Sequence, residues 1–506
     1  MKFLAILLIA LLLPSPGSRA QDFRDSAGRL QSSIKPAWPI KVAGGGRYLT
    51  DAKSNPFFLW SDTTWGVFQA VPLTGSSSAT TYYADRAARG FNCVYCTLLY
   101  NQYVANFGTY DGIAPFTKGS ATGGGTDNNY NIAYPNPAYF QRIVAMVNLA
   151  AQYGLTVILN VYDNPGWETN FVNSGTSKLQ ALGAYIGTQF ASCPNVIYNY
   201  GEDYQDWQNN SASDAALAAL EAGIKSTDRL HIHLGCELNY INSSTFDDSN
   251  LMGLDGNCIY SYYPLYIEDY HGYAQSTKPM FMIESNYEGE CYSNNTGYYF
   301  VDDGGPYPSG RFDTAGSSVV RHQIFWGLTS GLAGFNYGQW WIADNMSKST
   351  AWASKLNTSA GNSGCKLVKL LQGQNWWMLS PDTSHRFVTS GYGRQRAYPG
   401  IVVGDLPAPN NAYKTVPTDT FCTAEVASDG SFGIVYLPQT STVTVNMTAL
   451  SGLVTALWMD PVSGAMTTVT GSPFADSGSQ KFTSPGTNSD GISTDWALVL
   501  TAARKR

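Results

Sequence analysis

The sequence predicts an α/β protein: a (β/α)8 TIM barrel followed by a small C-terminal antiparallel β-sandwich. Three observations predict it. From about residue 55, short apolar runs alternate with amphipathic helical patterns, the signature of βαβ units and a parallel sheet. The apolar runs number eight, as a closed barrel requires. After about residue 372 the hydrophobic period drops to two, with short runs separated by turn residues.

Pro56 to Trp60 reads as the first strand. Ser78 to Arg89 reads as a helix stopped by Gly90, and Phe91 to Leu98 as the second strand. A Gly/Asn/Tyr-rich loop follows, roughly 100 to 135. Asn136-Pro137 is a cap with proline at the first helical position, after which Phe140, Ile143, Val147 and Ala151 recur at helical spacing up to Gly154. Leu155 to Val161 is strand three. Ser177 opens a helix with Leu179, Leu182, Ile186 and Phe190 on one face, and Asn195 to Tyr200 is strand four. Ala215 to Lys225 is helical, and strands five to seven are His231 to Leu234, Cys258 to Tyr260 and Pro279 to Ile283. A helix over Ser318 to Thr329 leads to strand eight, Gly334 to Tyr337. Asn239 to Gly256 shows no helical pattern, so the unit between strands five and six is expected to be degenerate. In the second domain, Gly433 to Leu437, Val443 to Met447 and Leu453 to Trp458 are strands, and Trp376-Trp377 is expected at the seam.

Residues 1–20 read as a signal peptide: Lys2, an apolar run from Phe3 to Leu13, then Ser18-Arg19-Ala20. No later segment approaches the roughly twenty apolar residues of a membrane span. The expected organisation is thus a barrel over 21–372 and a sandwich over 373–506, secreted or periplasmic in a bacterium, without membrane attachment and monomeric. Only 13% of residues are charged while 13% are aromatic, with 33 Tyr and 13 Trp, a balance suited to uncharged, hydroxyl-rich ligands. The net charge of −7 argues against nucleic acid. Eight cysteines permit up to four disulfides, and Cys93 and Cys96 lie in a buried strand, where a structural thiol or disulfide is expected.

In such a barrel the chemistry lies at the carboxyl ends of the strands. Acidic groups after strands four and seven face each other across the mouth, where one can protonate a leaving oxygen while the other attacks. Asp203 is the candidate acid/base and Glu284 the candidate nucleophile, with Glu202 and Glu288 as substitutes. Asp62, Asp163, Glu202 and Glu288 are candidate ligands for sugar hydroxyls, and Trp65, Tyr162, Tyr262, Tyr337 and Trp340 are candidate faces for sugar rings. Glu202, beside Asp203, is expected to raise its pKa by like-charge repulsion. His231 and His233 point the same way along a strand, but no second His cluster or HExxH accompanies them, so no metal and no cofactor are expected. GxSxG, GxxxxGK[ST] and a helix-opening GxGxxG are missing from the sequence, which removes the usual evidence for serine hydrolase and nucleotide chemistry.

Pro56-Phe57-Phe58-Leu59-Trp60-Ser61-Asp62-Thr63-Thr64-Trp65, followed by Asp85-Arg86-Ala87-Ala88-Arg89-Gly90-Phe91-Asn92, resembles the opening of the apiosidase-like glycosidases, glycoside hydrolase family 140, within the cellulase-like barrel superfamily. Asn195 to Asp203, Lys278 to Glu284 with Tyr287-Glu288-Gly289, and Arg321 to Gly338 are similar to later segments of that family. Ile434 to Pro438 and Leu457 to Pro461 resemble the module, labelled collagen-binding, that accompanies it. The resemblance implies a barrel with an Asp acid/base at Asp203 and a Glu nucleophile at Glu284. Gly201-Glu202-Asp203 departs from the Gly-Gly-Asp usual there. The expectation is a secreted retaining glycosidase that degrades a plant or microbial polysaccharide. A non-catalytic carbohydrate- or matrix-binding protein on the same scaffold is the second reading, and a metal hydrolase using His231 and His233 the third.

Overall fold

The computed structural model describes residues 35–100, 108–121, 128–204, 211–238, 242–244, 253–293, 297–300, 316–343, 346, 349–396, 416 and 419–503. The expected signal peptide lies outside them. Eight parallel strands are β1 (Leu59–Thr63), β2 (Cys93–Thr97), β3 (Thr156–Asn160), β4 (Val196–Tyr204), β5 (His233–Leu238), β6 (Asn257–Tyr260), β7 (Met280–Glu284) and β8 (Gly334–Tyr337). Backbone hydrogen bonds join them in the order β5-β4-β3-β2-β1-β8-β7-β6. Both faces are covered, so the strands read as continuous apolar runs. Alternate residues still separate: Cys93, Tyr95, Ile158 and Ile197 fall in one apolar cluster and Val94, Cys96, Val157, Leu159 and Val196 in another.

The open ladder lies between β5 and β6, where the sequence shows no helix. Among the described residues that connection holds only a two-residue strand, Asn242–Ser243, antiparallel to β6. Ser244 then closes the barrel with its side chain: Oγ accepts from the main-chain N–H of Cys236 (3.2 Å) and Cys258 (3.0 Å) and donates to Cys236 O (2.8 Å). Gly235 permits the approach, because a Cβ there would lie 2.4 Å from Cys258 Sγ. The first strand is shifted from its expected place. Pro56–Phe57 belongs to a small antiparallel sheet with Leu49–Thr50, and the barrel strand starts at Leu59.

Helices Ala79–Arg89, Pro137–Gln152, Thr176–Phe190, Ser211–Thr227, Tyr266–Gln275 and Ser317–Gly327 follow β1, β2, β3, β4, β6 and β7. The Asn136 side chain caps the second by accepting from Ala138 N. The C-terminal strands are β9 (Leu379–Pro381), β10 (Val388–Ser390), β11 (Thr423–Ala427), β12 (Phe432–Leu437), β13 (Thr442–Asn446), β14 (Val454–Met459), β15 (Met466–Thr468), β16 (Ser479–Thr483) and β17 (Trp496–Ala502). They form two antiparallel sheets, β9-β11-β12-β17-β14-β15 and β10-β13-β16, over a core of Val435, Leu437, Val443, Val445, Phe482, Leu498 and Leu500.

The sandwich is fixed to the barrel through helix Ser317–Gly327. Buried Arg321 pairs bidentately with buried Asp495 (Nε–Oδ2 3.0 Å, Nη2–Oδ1 2.9 Å), and Trp326 Nε1 donates to Phe421 O (2.9 Å). Trp376 packs edge-on against Phe58, centroids 4.8 Å apart, at the foot of this seam. Seven cysteines, Cys93, Cys96, Cys193, Cys236, Cys258, Cys365 and Cys422, are free thiols, so the lone CxxC is not a disulfide.

Candidate active site

At the end of β4 the backbone leaves ordinary strand geometry. Gly201, Glu202 and Asp203 all have positive φ, +87°, +89° and +53°. Gly201 is required sterically, since a Cβ would lie 2.4 Å from Glu237 O. The two non-glycine residues carry strain of about 1–3 kcal/mol each, which a fold retains where it serves a site. The strained turn separates a pair of neighbouring carboxyls. Glu202 turns into the barrel, where Oε2 accepts from Thr97 Oγ1 (2.7 Å) and Asn160 Nδ2 (3.0 Å). Asp203, less deeply buried, turns toward β6 and the Tyr260 hydroxyl.

Glu284, the last residue of β7, is buried and held by two hydroxyls. Tyr262 donates to Oε1 (3.0 Å) and Tyr287 to Oε2 (2.8 Å). Tyr260 hydrogen-bonds toward it as well and contacts the Tyr262 hydroxyl at 2.7 Å. A third carboxyl, Glu237 near the end of β5, is fully buried, accepts from Tyr95 (2.7 Å) and faces both Glu284 and Asp203.

Burial, opposed only by the Tyr260 hydroxyl, pushes the Asp203 carboxyl up to about 6. The expected cause, repulsion from Glu202, is not the one observed, because the backbone turns the two side chains apart. Burial raises Glu284 well above the usual carboxylate range, and repulsion from Glu237 and Asp203 adds to it. Glu202 is raised likewise by burial and then by Asp163 and Glu237.

The remaining candidates divide. Tyr262 touches Glu284, and Trp65 and Trp340 flank Tyr287, the other hydroxyl partner of Glu284, with centroids 5.1 and 6.0 Å from it. Asp163 lies beside Glu202 at the N-cap position of helix Asn164–Ser174. Tyr162 packs on Phe171 at 5.0 Å. Asp62 is fully buried in a structural network, accepting from Tyr82 OH (2.5 Å) and Arg86 Nη1 (3.2 Å). Glu288 is tied by Tyr337 OH, Ser317 Oγ and the main-chain N–H of Ala360 and Gly361, so it and Tyr337 lock the strand ends to helix Ser359–Gln372. His231 pairs with Asp228 and His233 with Tyr200, each at 2.6 Å, and among the described residues no three His, Cys, Asp or Glu side chains are placed to hold a metal ion.

Residues 43–378 match the family model described as apiosidase-like, catalytic domain. The chain belongs to the apiosidase-like family. This apiosidase-like protein is a glycosidase, and its substrate is a carbohydrate. Residues 413–501 match a second family, described as "Putative collagen-binding domain of a collagenase". Among solved structures it is similar to a glycoside hydrolase at 18% identity, covering 93% of this chain and 98% of that one with a TM-score of 0.70. A glycoside hydrolase family 5 protein from Bacteroides vulgatus is 16% identical over 92% and 93% of the two chains, TM-score 0.68. No curated protein matches the chain.

Sequence reading missed Glu237, Tyr260 and Tyr95 in this glycosidase. Glu237 was hidden because the apolar run of strand five breaks at Gly235, whereas the strand continues to Leu238. A carboxylate three residues past an apolar run was the available signal. Tyr260 and Tyr95 were legible only as strand residues, since their role depends on which face of the closed barrel they occupy.

Proposed function

We propose that this apiosidase-like glycosidase hydrolyses O-glycosidic bonds of a plant or microbial polysaccharide with retention, using Asp203 as acid/base and Glu284 as nucleophile. The observation that carries the reading is the Tyr260 hydroxyl, a hydrogen-bonding neighbour of both carboxyls. Two oxygens on one hydroxyl, each at about 2.8 Å, stand no more than roughly 5–6 Å apart. That fits the about 5–5.5 Å of retaining enzymes and not the wider gap that inversion needs for a water.

Asp203 protonates the leaving oxygen as Glu284, aligned by Tyr262 and Tyr287, forms the bond to the anomeric carbon. Asp203 then takes a proton from the water that releases the sugar, which restores both groups. The balance needs no cofactor. Trp65 and Trp340, beside Tyr287, offer apolar faces to the ring. The leader-like residues 1–20 support action outside the cell or in a bacterial periplasm, and no described helix is long and apolar enough to cross a membrane. The enzyme is proposed to act as a monomer.

The test is sugar release from a panel of plant and microbial polysaccharides and aryl glycosides by wild type, Glu284→Gln and Asp203→Asn, with the anomer of the first product read by NMR. Glu284→Gln should fall to background and Asp203→Asn by about 10²–10⁴-fold on unactivated substrates. An inverted product, or full activity in Glu284→Gln, overturns the assignment.

A further inference from the structure

The barrel mouth holds one more acid than a two-carboxylate mechanism uses. Glu237 is fully buried; Oε2 accepts from Tyr95, and the main-chain N–H of Asp203 also hydrogen-bonds to the carboxyl. The titratable groups around it are Tyr95 from β2, Glu202 and Asp203 from β4, and Glu284 and Tyr287 from β7 and its following loop. None of Glu202, Asp203, Glu237 and Glu284 has a Lys, Arg or His partner among the described residues. The carboxyls of Glu237 and Glu284 lie close enough to share a hydrogen bond.

Two buried carboxyls in contact without a cation cannot both ionise, so one of them holds a proton. That proton also supplies the donor the pair otherwise lacks, since two ionised carboxylates can only accept. Groups that donate to a carboxylate favour its charged form, and three tyrosine hydroxyls, Tyr260, Tyr262 and Tyr287, converge on Glu284, whereas Glu237 has one hydroxyl, Tyr95, and the main-chain N–H of Asp203.

We propose that Glu237 is a positioning residue: it keeps the shared proton and donates it in a hydrogen bond to Glu284, so that the negative charge rests on the nucleophile. This rests on reading Glu284 as the nucleophile. The arrangement solves a problem that burial creates. A deeply buried nucleophile resists ionisation, and a fixed neutral acid beside it stabilises the carboxylate without neutralising it. The proton stays on Glu237 throughout turnover, so no atom is gained or lost there.

The test compares pH profiles of kcat and kcat/KM for wild type, Glu237→Gln and Glu237→Ala, with Glu284→Gln as control. Glutamine remains a neutral donor of nearly the same shape, so Glu237→Gln should keep kcat to within about tenfold and hold the acid limb in place. Alanine removes a hydrogen bond to a charged group, so the acid limb should move up by about one unit or more and kcat should fall with KM little changed. If Glu237 instead carries the charge, Glu237→Gln should lose as much activity as Glu284→Gln, and the acid limb of Glu237→Ala should move down as repulsion is relieved; either result overturns the proposal. Full activity in Glu284→Gln would instead overturn the nucleophile reading beneath it. A readout independent of activity and of the alanine variant's folding is the infrared difference between wild type and Glu237→Gln at neutral pH. A protonated carboxyl C=O band lost in the variant supports the proposal, and a lost carboxylate band refutes it.

Discussion

Asp203 and Tyr260 show how much of this site is set by single groups. In its proposed role of general acid Asp203 must be protonated, and its carboxyl, raised to about 6 by burial, keeps the proton only below that pH. The alkaline limb of kcat/KM should therefore fall as pH rises through about 6. Tyr260 lowers the proton affinity of both Asp203 and Glu284. Removing its hydroxyl in Tyr260→Phe should raise both, moving the acid and alkaline limbs together toward higher pH. An alkaline limb that stays in place would detach that limb from Asp203. Glu202 is adjacent in sequence yet serves elsewhere, because three successive left-handed residues send the two carboxyls to different layers of the barrel.

At the scale of elements, the weak point is the pair of strands that share no ladder. β5 and β6 are joined through Ser244 Oγ, which serves the main chain of both. Ser244→Ala leaves buried N–H groups of Cys236 and Cys258 without that partner, at a cost of about 1–3 kcal/mol for each group left unsatisfied. Urea denaturation should show a lower midpoint with an unchanged slope. Since β5 carries Glu237, activity should fall with the same substitution, and an unaltered midpoint would show that the ladder closes by other contacts. This unit was legible in outline: Asn239 to Gly256 lacked a helical pattern. Ser244 was not, because one hydroxyl replacing a ladder has no period. Helix Tyr266–Gln275 was missed for a related reason: its buried face is tyrosine and acid, Tyr266, Glu268, Asp269 and Tyr270, and not an aliphatic stripe.

Across the whole molecule, the sandwich and barrel share one apolar cluster that runs from Trp326 and Phe325 to Phe421, Tyr436 and Val499. The seam also buries acids. Glu425 on β11 accepts from Gly331 N (2.6 Å), and Asp269, on helix Tyr266–Gln275, feels its charge. Burial raises Glu425 to about 8. Unfolded, it would ionise near 4.3. The folded form thus holds a proton between those values that the unfolded form has lost, and this contribution to stability declines as pH rises from about 4.3 to about 8 and is flat beyond. Glu425→Gln keeps the acceptor and removes the titration. Its melting temperature should exceed that of wild type at pH 8 by more than at pH 5, and an equal difference at both would place the pH dependence elsewhere.

What the amino-acid sequence determined by itself was whatever depends on neighbours along the chain. The eight apolar runs, the cap at Asn136, the change of period after about residue 372 and the strand-end acids Asp203 and Glu284 all follow from local spacing, because burial of one face imposes a period on the chain. The tertiary structure decided which of the acids meet. Glu288 and Asp62 look equivalent to Glu284 in sequence, yet they are satisfied by main-chain N–H groups and by Arg86, while Glu237, Asp203 and Glu284 converge without a cation. Closing the barrel brings β4, β5 and β7 to one mouth from positions tens of residues apart, and proton affinity is set by that environment of burial, like charge and hydroxyls, which no window of local sequence contains.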